Sequence, residues 1–273
     1  MIRRSKTATG EEQWVLISQV EHARLSGALA GPWGKEPFAR LAPREGIVAA
    51  VAHHDDGWAA WEIAPKVDAQ TGRPLDFTET ALTDSLAIWR ESIRAAAGIG
   101  PLAGYMVSGH FTRLLERFSG RWKSDATATA LANDFLTEQQ AERDKWLAMW
   151  QKTAGDSADR AAADRAVSWL QMFDALSLWL CCAERREPQE FAPPGGPVLT
   201  LRPTTGPYAI SVSPWPFLTD ELEVAALGRA IAVRPYADPS DVVTAAAQPV
   251  TLNWSLRRAE STSPRHDEAR PAC

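Results

Sequence analysis

The sequence is poor in cysteine, and its three cysteines form no metal-binding or disulfide pattern. Cys181 and Cys182 are adjacent in a stretch with helical periodicity, and Cys273 ends a polar tail. No pair has the Cys-x-x-Cys spacing of a structural zinc site, and three cysteines cannot build the framework of a small disulfide-rich domain. The sequence therefore excludes a disulfide scaffold and argues against zinc bound by thiolates.

Clusters of basic residues and long apolar runs are also missing. The formal net charge is −5, and no Lys/Arg cluster with interleaved aromatic residues is present, which argues against a nucleic-acid partner. The most apolar window, 166–183, contains Gln171 and Asp174, so it predicts a buried helix and not a membrane span. The basic residues 1–6 are not followed by the apolar run of a signal peptide. We therefore expect a globular cytoplasmic protein with no membrane partner.

Hydrophobic periodicity predicts a mainly α-helical protein. The predicted helices are 19–30, one that begins at 43–45, 83–97, 101–118, 127–152 and 157–185. Residues 1–12 have the character of a frayed start, and 14–17 fit either a short strand or the entry to a helix. The composition becomes rich in proline and glycine at 188–197, which marks a boundary. After it, segments at 198–201, 208–212, 225–233 and 250–256 predict strands. We therefore expect a helical domain at 13–187, a small C-terminal β subdomain at 197–258 and a disordered tail at 259–273.

The stretch Val48–Glu62 carries the most distinctive polar residues of the chain. It begins as an apolar helix and continues into the run His53-His54-Asp55-Asp56. By helical periodicity, His54 and Asp55 continue the buried stripe, whereas His53 and Asp56 point away from it by about 100° each. Buried imidazoles and carboxylates cost several kcal/mol unless they are partnered. A bound metal ion is the simplest partner for several of them at once.

Three further polar residues are predicted to face the interior from other helices. His22 shares one face of the first helix with two leucines, and His110 takes the place of an apolar residue on a buried stripe. Asp174 lies in the middle of the most apolar helical face. A carboxylate there must be neutralised, either by a metal ion or by a neighbouring arginine. These positions make His22 and Asp174 candidate metal ligands, together with His54 and Asp55.

This set of residues resembles the HD-domain superfamily of metal-dependent phosphohydrolases. That family has the pattern His…His-Asp…Asp across a helical bundle, which His22, His54-Asp55 and Asp174 follow in order over about residues 15–185. The resemblance implies an HD-like helical bundle with these four residues as metal ligands. The chain departs from the pattern in the long loop at 63–82 and in the added His110. It is also similar to an uncharacterised bacterial family with a His-His-Asp-Asp-Gly-Trp block and a late Pro-Trp-Pro-Phe segment.

The resemblance implies hydrolysis of a phosphoester, such as a nucleotide, at a site that holds a divalent transition metal. Two histidines and two carboxylates suit Mn, Fe, Zn, Co or Ni, and the sequence does not choose among them. His53, Asp56 or His110 would then handle protons or contact the phosphate of a small phosphorylated substrate. These three residues are therefore the candidate catalytic residues.

Two other functions stay open at this stage. Some HD-fold proteins hold two irons and oxidise their substrates, although that chemistry requires more histidines than the sequence places. Alternatively, the bundle retains a metal for stability alone, and the protein is a binding or regulatory module. The absence of a Lys/Arg cluster that would bind phosphate keeps this second alternative open.

Overall fold

The structure, a computed structural model, describes residues 1–8, 11–154, 158–182, 187–206, 208–246 and 248–260. Its helices are α1 (Gln19–Ala30), α2 (Arg44–Ala52), α3 (Trp58–Glu62), α4 (Leu82–Ile99), α5 (Pro101–Arg117), α6 (Ala126–Ala154), α7 (Arg160–Cys181) and α8 (Pro239–Ala245). Its strands are β1 (Ile2–Ala8), β2 (Glu11–Ile17), β3 (Gln189–Phe191), β4 (Leu199–Pro203), β5 (Ala209–Ser213), β6 (Glu221–Ala232) and β7 (Gln248–Arg258). Short 3-10 turns lie at Phe77–Glu79 and Ser119–Arg121.

All seven strands of the described chain form one mixed sheet, in the order β1-β2-β6-β7-β5-β4-β3. Neighbouring strands are antiparallel except β5 and β7, which run parallel. Successive side chains of a strand point to opposite faces of the sheet. In β2, Val15 and Ile17 therefore join the main core, whereas Trp14 and Leu16 join a smaller cluster with Val242 of α8. The sheet thus has one face in the main core and carries the smaller cluster on the other.

This sheet shows that the predicted fold class is wrong: the protein is not a mainly α-helical bundle with a small C-terminal β subdomain. β1 pairs with β2 and β2 pairs with β6, so the sheet draws on both ends of the chain. The sequence does not predict β1, because Arg4 occupies a position of this strand that faces the protein interior. Its side chain is fully buried, and its Nη1 donates to the carbonyl oxygen of Leu180 at 2.7 Å. A charged residue there breaks the apolar alternation that predicts a strand.

The helices of the main core pack around α5, which contacts α2, α4, α6 and α7. α1 lies against α7 and α2. α1 and α2 approach closely at Gly27, where an added Cβ would lie 2.5 Å from Cβ of Ala52. α1 begins at a capped end, since the Ser18 hydroxyl accepts a hydrogen bond from the backbone N–H of Glu21 at 3.1 Å. The close packing at Gly27 brings the end of α2 beside α1.

Other expectations from the sequence concern the ends of the chain and the membrane. Most of the expected tail, residues 261–273, lies outside the described residues, as does Cys273. The domain boundaries at 13–187 and 197–258 stay predictions. Among the described residues, no helix combines the length and the apolarity needed to cross a membrane.

Candidate metal centre

Four polar side chains are buried where α1, α7 and the end of α2 meet. His22 lies on the inner face of α1, and Asp174 lies in the middle of α7. His54 and Asp55 lie in the turn that follows α2. The two histidines are fully buried, and the two aspartates are at most 9% exposed. Side chains of this kind need partners inside the protein, because burial of an unpaired charge is costly.

The polar atoms of these residues point at one another. His22 Nε2 lies 3.0 Å from Asp174 Oδ1, and His54 Nε2 lies 3.4 Å from the same oxygen. Asp55 Oδ2 lies 3.4 Å from His54 Nε2 and 3.9 Å from His22 Nε2. The structure thus brings together the four residues predicted as metal ligands, whereas their binding of a metal stays a prediction. Within the described residues, the ion pairs of Asp174 are with these histidines and not with an arginine.

His54 is oriented so that one of its ring nitrogens makes no hydrogen bond within the described residues and faces the two carboxylates. Its Nδ1 lies 2.8 Å from the carbonyl oxygen of Val51. A carbonyl oxygen only accepts hydrogen bonds, so Nδ1 carries a proton and donates it. Nε2 is buried and makes no hydrogen bond within the described residues. In the neutral ring, Nε2 therefore directs a lone pair toward Asp55 and Asp174, as a histidine ligand of a metal does.

His22 is held by a serine on the neighbouring helix. Its Nδ1 lies 2.9 Å from Oγ of Ser177, which in turn lies 2.6 Å from Oγ of Ser26. All three side chains are fully buried. Ser177 follows Asp174 by three residues on α7, so a single helical turn places both beside His22. Ser177 therefore fixes the orientation of the imidazole whose other nitrogen faces Asp174.

The carboxylates and imidazoles change one another's proton affinity. Burial alone would lower the pKa of His54, but the nearby negative charges of Asp55 and Asp174 raise it to about 9. Burial opposes ionisation of Asp174, yet its contacts with His22 and His54 hold its pKa well below the usual range. Burial raises the pKa of Asp55 in spite of the histidines beside it. Without an ion, a proton on His54 supplies the positive charge that these buried carboxylates require.

The donor set fits a divalent transition metal. Imidazole nitrogens and carboxylate oxygens bind Mn, Fe, Co, Ni and Zn, with bond lengths of about 2.0–2.2 Å for zinc. Ligand atoms at this distance from one ion lie roughly 3–4 Å from one another. The nitrogen–oxygen distances within the cluster, from 3.0 to 3.9 Å, have this spacing. One ligand atom each of His22, His54 and Asp174 also lies within 4.8 Å of the other two.

His110, predicted to act on the substrate, lies next to the cluster on α5. Its ring centroid is 5.4 Å from that of His54. Burial lowers the pKa of His110 to about 3, so its imidazole is neutral at pH 7. Its Nδ1 is buried and has no hydrogen-bond partner in the described chain. This histidine therefore offers an unused polar atom beside the cluster.

The structure does not bring His53 and Asp56 into the cluster. Their side chains are 53% and 33% exposed, and they pair with each other, with His53 Nδ1 2.9 Å from Asp56 Oδ2. The turn after α2 points them away from His54 and Asp55. The prediction that they assist catalysis has no support in this geometry, and we assign them no part in the site.

A pocket of about 510 Å³ opens beside the cluster, and Asp55, His110 and Asp174 form part of its wall. Most of the remaining wall is apolar and includes the aromatic side chains of Trp89 and Phe111. This volume is within the usual range for small-molecule sites. A second cavity of similar size, about 500 Å³, lies between β6, α8 and residues 62–65, away from the cluster.

Sequence reasoning missed Gln19, which also lies in the pocket wall. Its side chain is 1% exposed, and its amide Nε2 has no hydrogen-bond partner among the described residues. A signal was present, because Gln19 lies three residues before His22 and therefore one helical turn away on the same face. The pocket itself could not be read from the sequence, since its wall comes from five separate segments.

The fold and the site together define an α+β protein in which helices pack on a seven-stranded mixed sheet and enclose a buried histidine–aspartate cluster beside an aromatic pocket. The chain belongs to the family described as "Protein of unknown function (DUF3891)", whose model matches residues 1–232. The match includes all four residues of the cluster and ends with the last residue of β6. No curated protein and no solved structure matches the chain.

Proposed function

We propose that this protein is a metal-dependent hydrolase that acts on a phosphoester, such as a nucleotide. The observation that carries the proposal is the buried Nε2 of His54, which makes no hydrogen bond within the described residues and lies 3.4 Å from a carboxylate oxygen of Asp55 and of Asp174 beside an open pocket. Buried polar atoms seldom lack a hydrogen bond, and this nitrogen and the two carboxylate oxygens have the spacing of ligands around one ion. A divalent cation would satisfy the nitrogen and both carboxylates together.

The order of the residues along the chain supports a phosphoester as the substrate. His22, then His54-Asp55, then Asp174 is the order that resembles the HD-domain phosphohydrolases. The sheet is not part of such a bundle, so the resemblance applies to the helical layer alone. A motif match of this kind is a hypothesis, and the burial of all four residues on converging elements strengthens it.

In the proposed site, His22, His54 and Asp174 hold the ion, and Asp55 is the fourth ligand. A divalent ion bound there would lower the pKa of a water molecule and polarise a phosphoryl oxygen. His110 lies on the pocket side as a neutral imidazole, in position to hydrogen-bond the phosphate or exchange a proton with it. Hydrolysis breaks the bond between phosphorus and the ester oxygen. The oxygen of water joins the phosphate, and the departing alcohol takes a proton.

The proposed partner is a small phosphorylated molecule, and the proposed location is the cytoplasm. Cys181 is a free, buried thiol, the usual state of cysteine in a reducing compartment. The donor set fits Mn, Fe, Zn, Co and Ni, so the metal is left open within this group.

Two histidine variants test the proposal. We expect the purified protein to contain a divalent transition metal and to release phosphate from a member of a panel of phosphoesters and nucleotides. His54→Ala should lose both metal and activity, because it removes the ligand at the centre of the cluster. The control is His53→Ala, which removes the adjacent but exposed histidine and should keep both. Elemental analysis and a phosphate-release assay measure the two properties.

Three results would contradict the proposal. Equal metal content in the wild type and in His54→Ala would show that the cluster is not the metal site. A metal-loaded protein that releases no phosphate from any compound would favour a binding or regulatory module. Two irons per chain with consumption of oxygen would favour the oxygenase.

Ser177 should affect metal binding although it is not a ligand. We expect Ser177→Ala to raise the Kd of the metal by about 10–100-fold, the usual cost of removing a hydrogen-bond partner of a metal ligand. Titration calorimetry on the metal-depleted protein measures the Kd. Ser168→Ala is the control, because Ser168 lies on the same helix but accepts a hydrogen bond from Arg113 instead. An unchanged Kd in Ser177→Ala would mean that the hydroxyl does not position His22.

A further inference from the structure

The pocket beside the cluster has two arginines in its wall, Arg117 and Arg121. Both are exposed, and no ion pair of the described residues involves either one. Their guanidinium carbons lie 5.7 Å and 4.7 Å from the ring centroid of Phe118. The guanidinium groups of both arginines thus lie near the ring of Phe118, which follows α5, and neither forms an ion pair with a carboxylate of the described chain.

These charges lie far from the histidine–aspartate cluster. Arg117 follows His110 by seven residues on α5, so both lie on one face of the helix. Seven residues of α-helix rise about 10.5 Å. The pocket therefore has one end at the histidine–aspartate cluster and a positively charged end about 10 Å from it along α5.

The wall between the two ends is apolar and largely aromatic. Trp89 and Phe111 stack on each other with their ring centroids 5.1 Å apart, and Leu114 and Trp122 continue the wall. A wall of this kind favours a flat, apolar body, because aromatic faces bury large apolar areas and stack on rings. A ligand that reaches both ends must therefore be apolar in its middle.

The end near the cluster also offers a hydrogen-bond donor. Gln19 and His110 belong to the pocket wall, and Gln19 Nε2 and His110 Nδ1 are buried and make no hydrogen bond within the described residues. An amide N–H₂ group only donates hydrogen bonds. An acceptor such as a phosphate oxygen, placed between the ion and Gln19, would satisfy it. Because an unpaired buried donor costs free energy, this end of the pocket favours a ligand that carries a hydrogen-bond acceptor.

We propose that the pocket takes an aromatic phosphoester that carries a second anionic group about 10 Å from its phosphate. The phosphate lies at the cluster, where Gln19 donates to one of its oxygens. The aromatic body lies against Trp89 and Phe111, and Arg117 and Arg121 bind the distal anion. This assignment of the substrate class rests on the proposed hydrolase function, because it places the phosphate at the metal.

Three phosphoesters separate these features of the substrate: glycerol phosphate, 2-naphthyl phosphate and 6-carboxy-2-naphthyl phosphate. The protein is loaded in turn with Mn, Fe, Zn, Co and Ni, and phosphate release is followed. We expect 2-naphthyl phosphate to have a KM at least about tenfold below that of glycerol phosphate, because its rings are buried in the pocket. KM is the quantity compared, since naphthol is also the better leaving group and raises kcat in any site. The distal carboxylate should lower KM by about a further tenfold without changing kcat.

A double variant tests the role of the arginines. Arg117→Ala with Arg121→Ala should raise KM for the carboxylated compound about tenfold and leave 2-naphthyl phosphate unaffected. Arg257→Ala with Arg258→Ala is the charge-matched control, because both residues are exposed on β7 outside the pocket wall. Gln19→Leu should lower kcat/KM for all three compounds, since every one of them carries the phosphate. Equal melting temperatures exclude misfolding of the double variants.

Binding of a phosphonate that cannot be hydrolysed separates the pocket from the chemistry. Calorimetry with 6-carboxy-2-naphthylphosphonate should give a Kd about tenfold weaker in the Arg117/Arg121 double variant. If this holds but no phosphoester is hydrolysed, the hydrolase proposal is wrong and the pocket assignment stands. If all three compounds are hydrolysed with equal KM and the double variant behaves as the wild type, the pocket assignment is wrong and the hydrolase stands. Absence of both binding and turnover overturns both.

Discussion

Asp174→Asn should remove the stabilisation that a bound metal gives the protein. In the wild type, an ion at a hundredfold excess over its Kd is expected to raise the free energy of unfolding by about 2.7 kcal/mol. Asparagine keeps the size of Asp174 but removes the negative charge 3.0 Å from His22 Nε2 and 3.4 Å from His54 Nε2. We expect the Kd of the metal to rise at least about 100-fold, which reduces the stabilisation to about 0.4 kcal/mol. Denaturant unfolding with added metal and with chelator measures the difference.

A second aspartate on α7 provides the control. Asp164 accepts a hydrogen bond from the Tyr105 hydroxyl at 2.6 Å and takes no part in the cluster. Asp164→Asn should therefore lower stability equally with and without metal. If Asp174→Asn keeps the full metal-dependent stabilisation, Asp174 is not a ligand, and the carboxylate serves only to compensate the two histidines.

Gly57→Ala should destabilise the protein by about 3 kcal/mol. Gly57 is the last residue of the turn that carries His54 and Asp55, and its backbone N–H donates to Ser92 Oγ at 3.1 Å. A Cβ at this position would lie 2.3 Å from the backbone nitrogen of Ser92 and 2.4 Å from the carbonyl oxygen of Ile88. Both atoms belong to the backbone of α4, so the whole helix must move away. Because the same turn carries His54 and Asp55, we expect metal affinity to fall as well. Urea unfolding and calorimetry measure the two effects.

Gly98, near the end of α4, is the matched control for this substitution. A Cβ there would meet no atom within 4 Å. Gly98→Ala should therefore stabilise the protein by up to about 1 kcal/mol, since alanine has the higher helix propensity. If Gly57→Ala unfolds at the same urea concentration as the wild type, α4 does not pack against the turn as closely as the structure shows.

The sequence predicted the local elements better than their assembly. The helix predicted at 19–30 has the same bounds as α1, and strands lie at each predicted position after residue 197. The error came from β1 and β2, because β1 pairs with β2 and the pairing of β2 with β6 joins residues more than 200 positions apart. Local periodicity contains no information on such a pairing, and the buried Arg4 hid the strand character of β1.

The cluster was predictable because each member follows from a simple pattern. His22 and Asp174 lie on apolar helical faces, where a polar residue interrupts the periodic pattern and is predicted to be buried. Helical periodicity placed His54 and Asp55 on the buried face of the second predicted helix. In the structure α2 ends at Ala52, and the two residues lie in the turn beyond it. The pocket was not predictable, because Gln19, residues 110–122 and residues 174–178 meet only in the folded chain.

The pairing of β2 with β6 has a consequence for the synthesis of the protein. The β1–β2 hairpin leaves the ribosome about 200 residues before β6, its neighbour in the sheet, is complete. At roughly 5–20 residues per second, the inner edge of β2 stays unpaired for about 10–40 s. An open strand edge pairs readily with other chains. We expect nascent chains of this protein to depend on a chaperone, or on slow expression at low temperature, until β6 covers that edge.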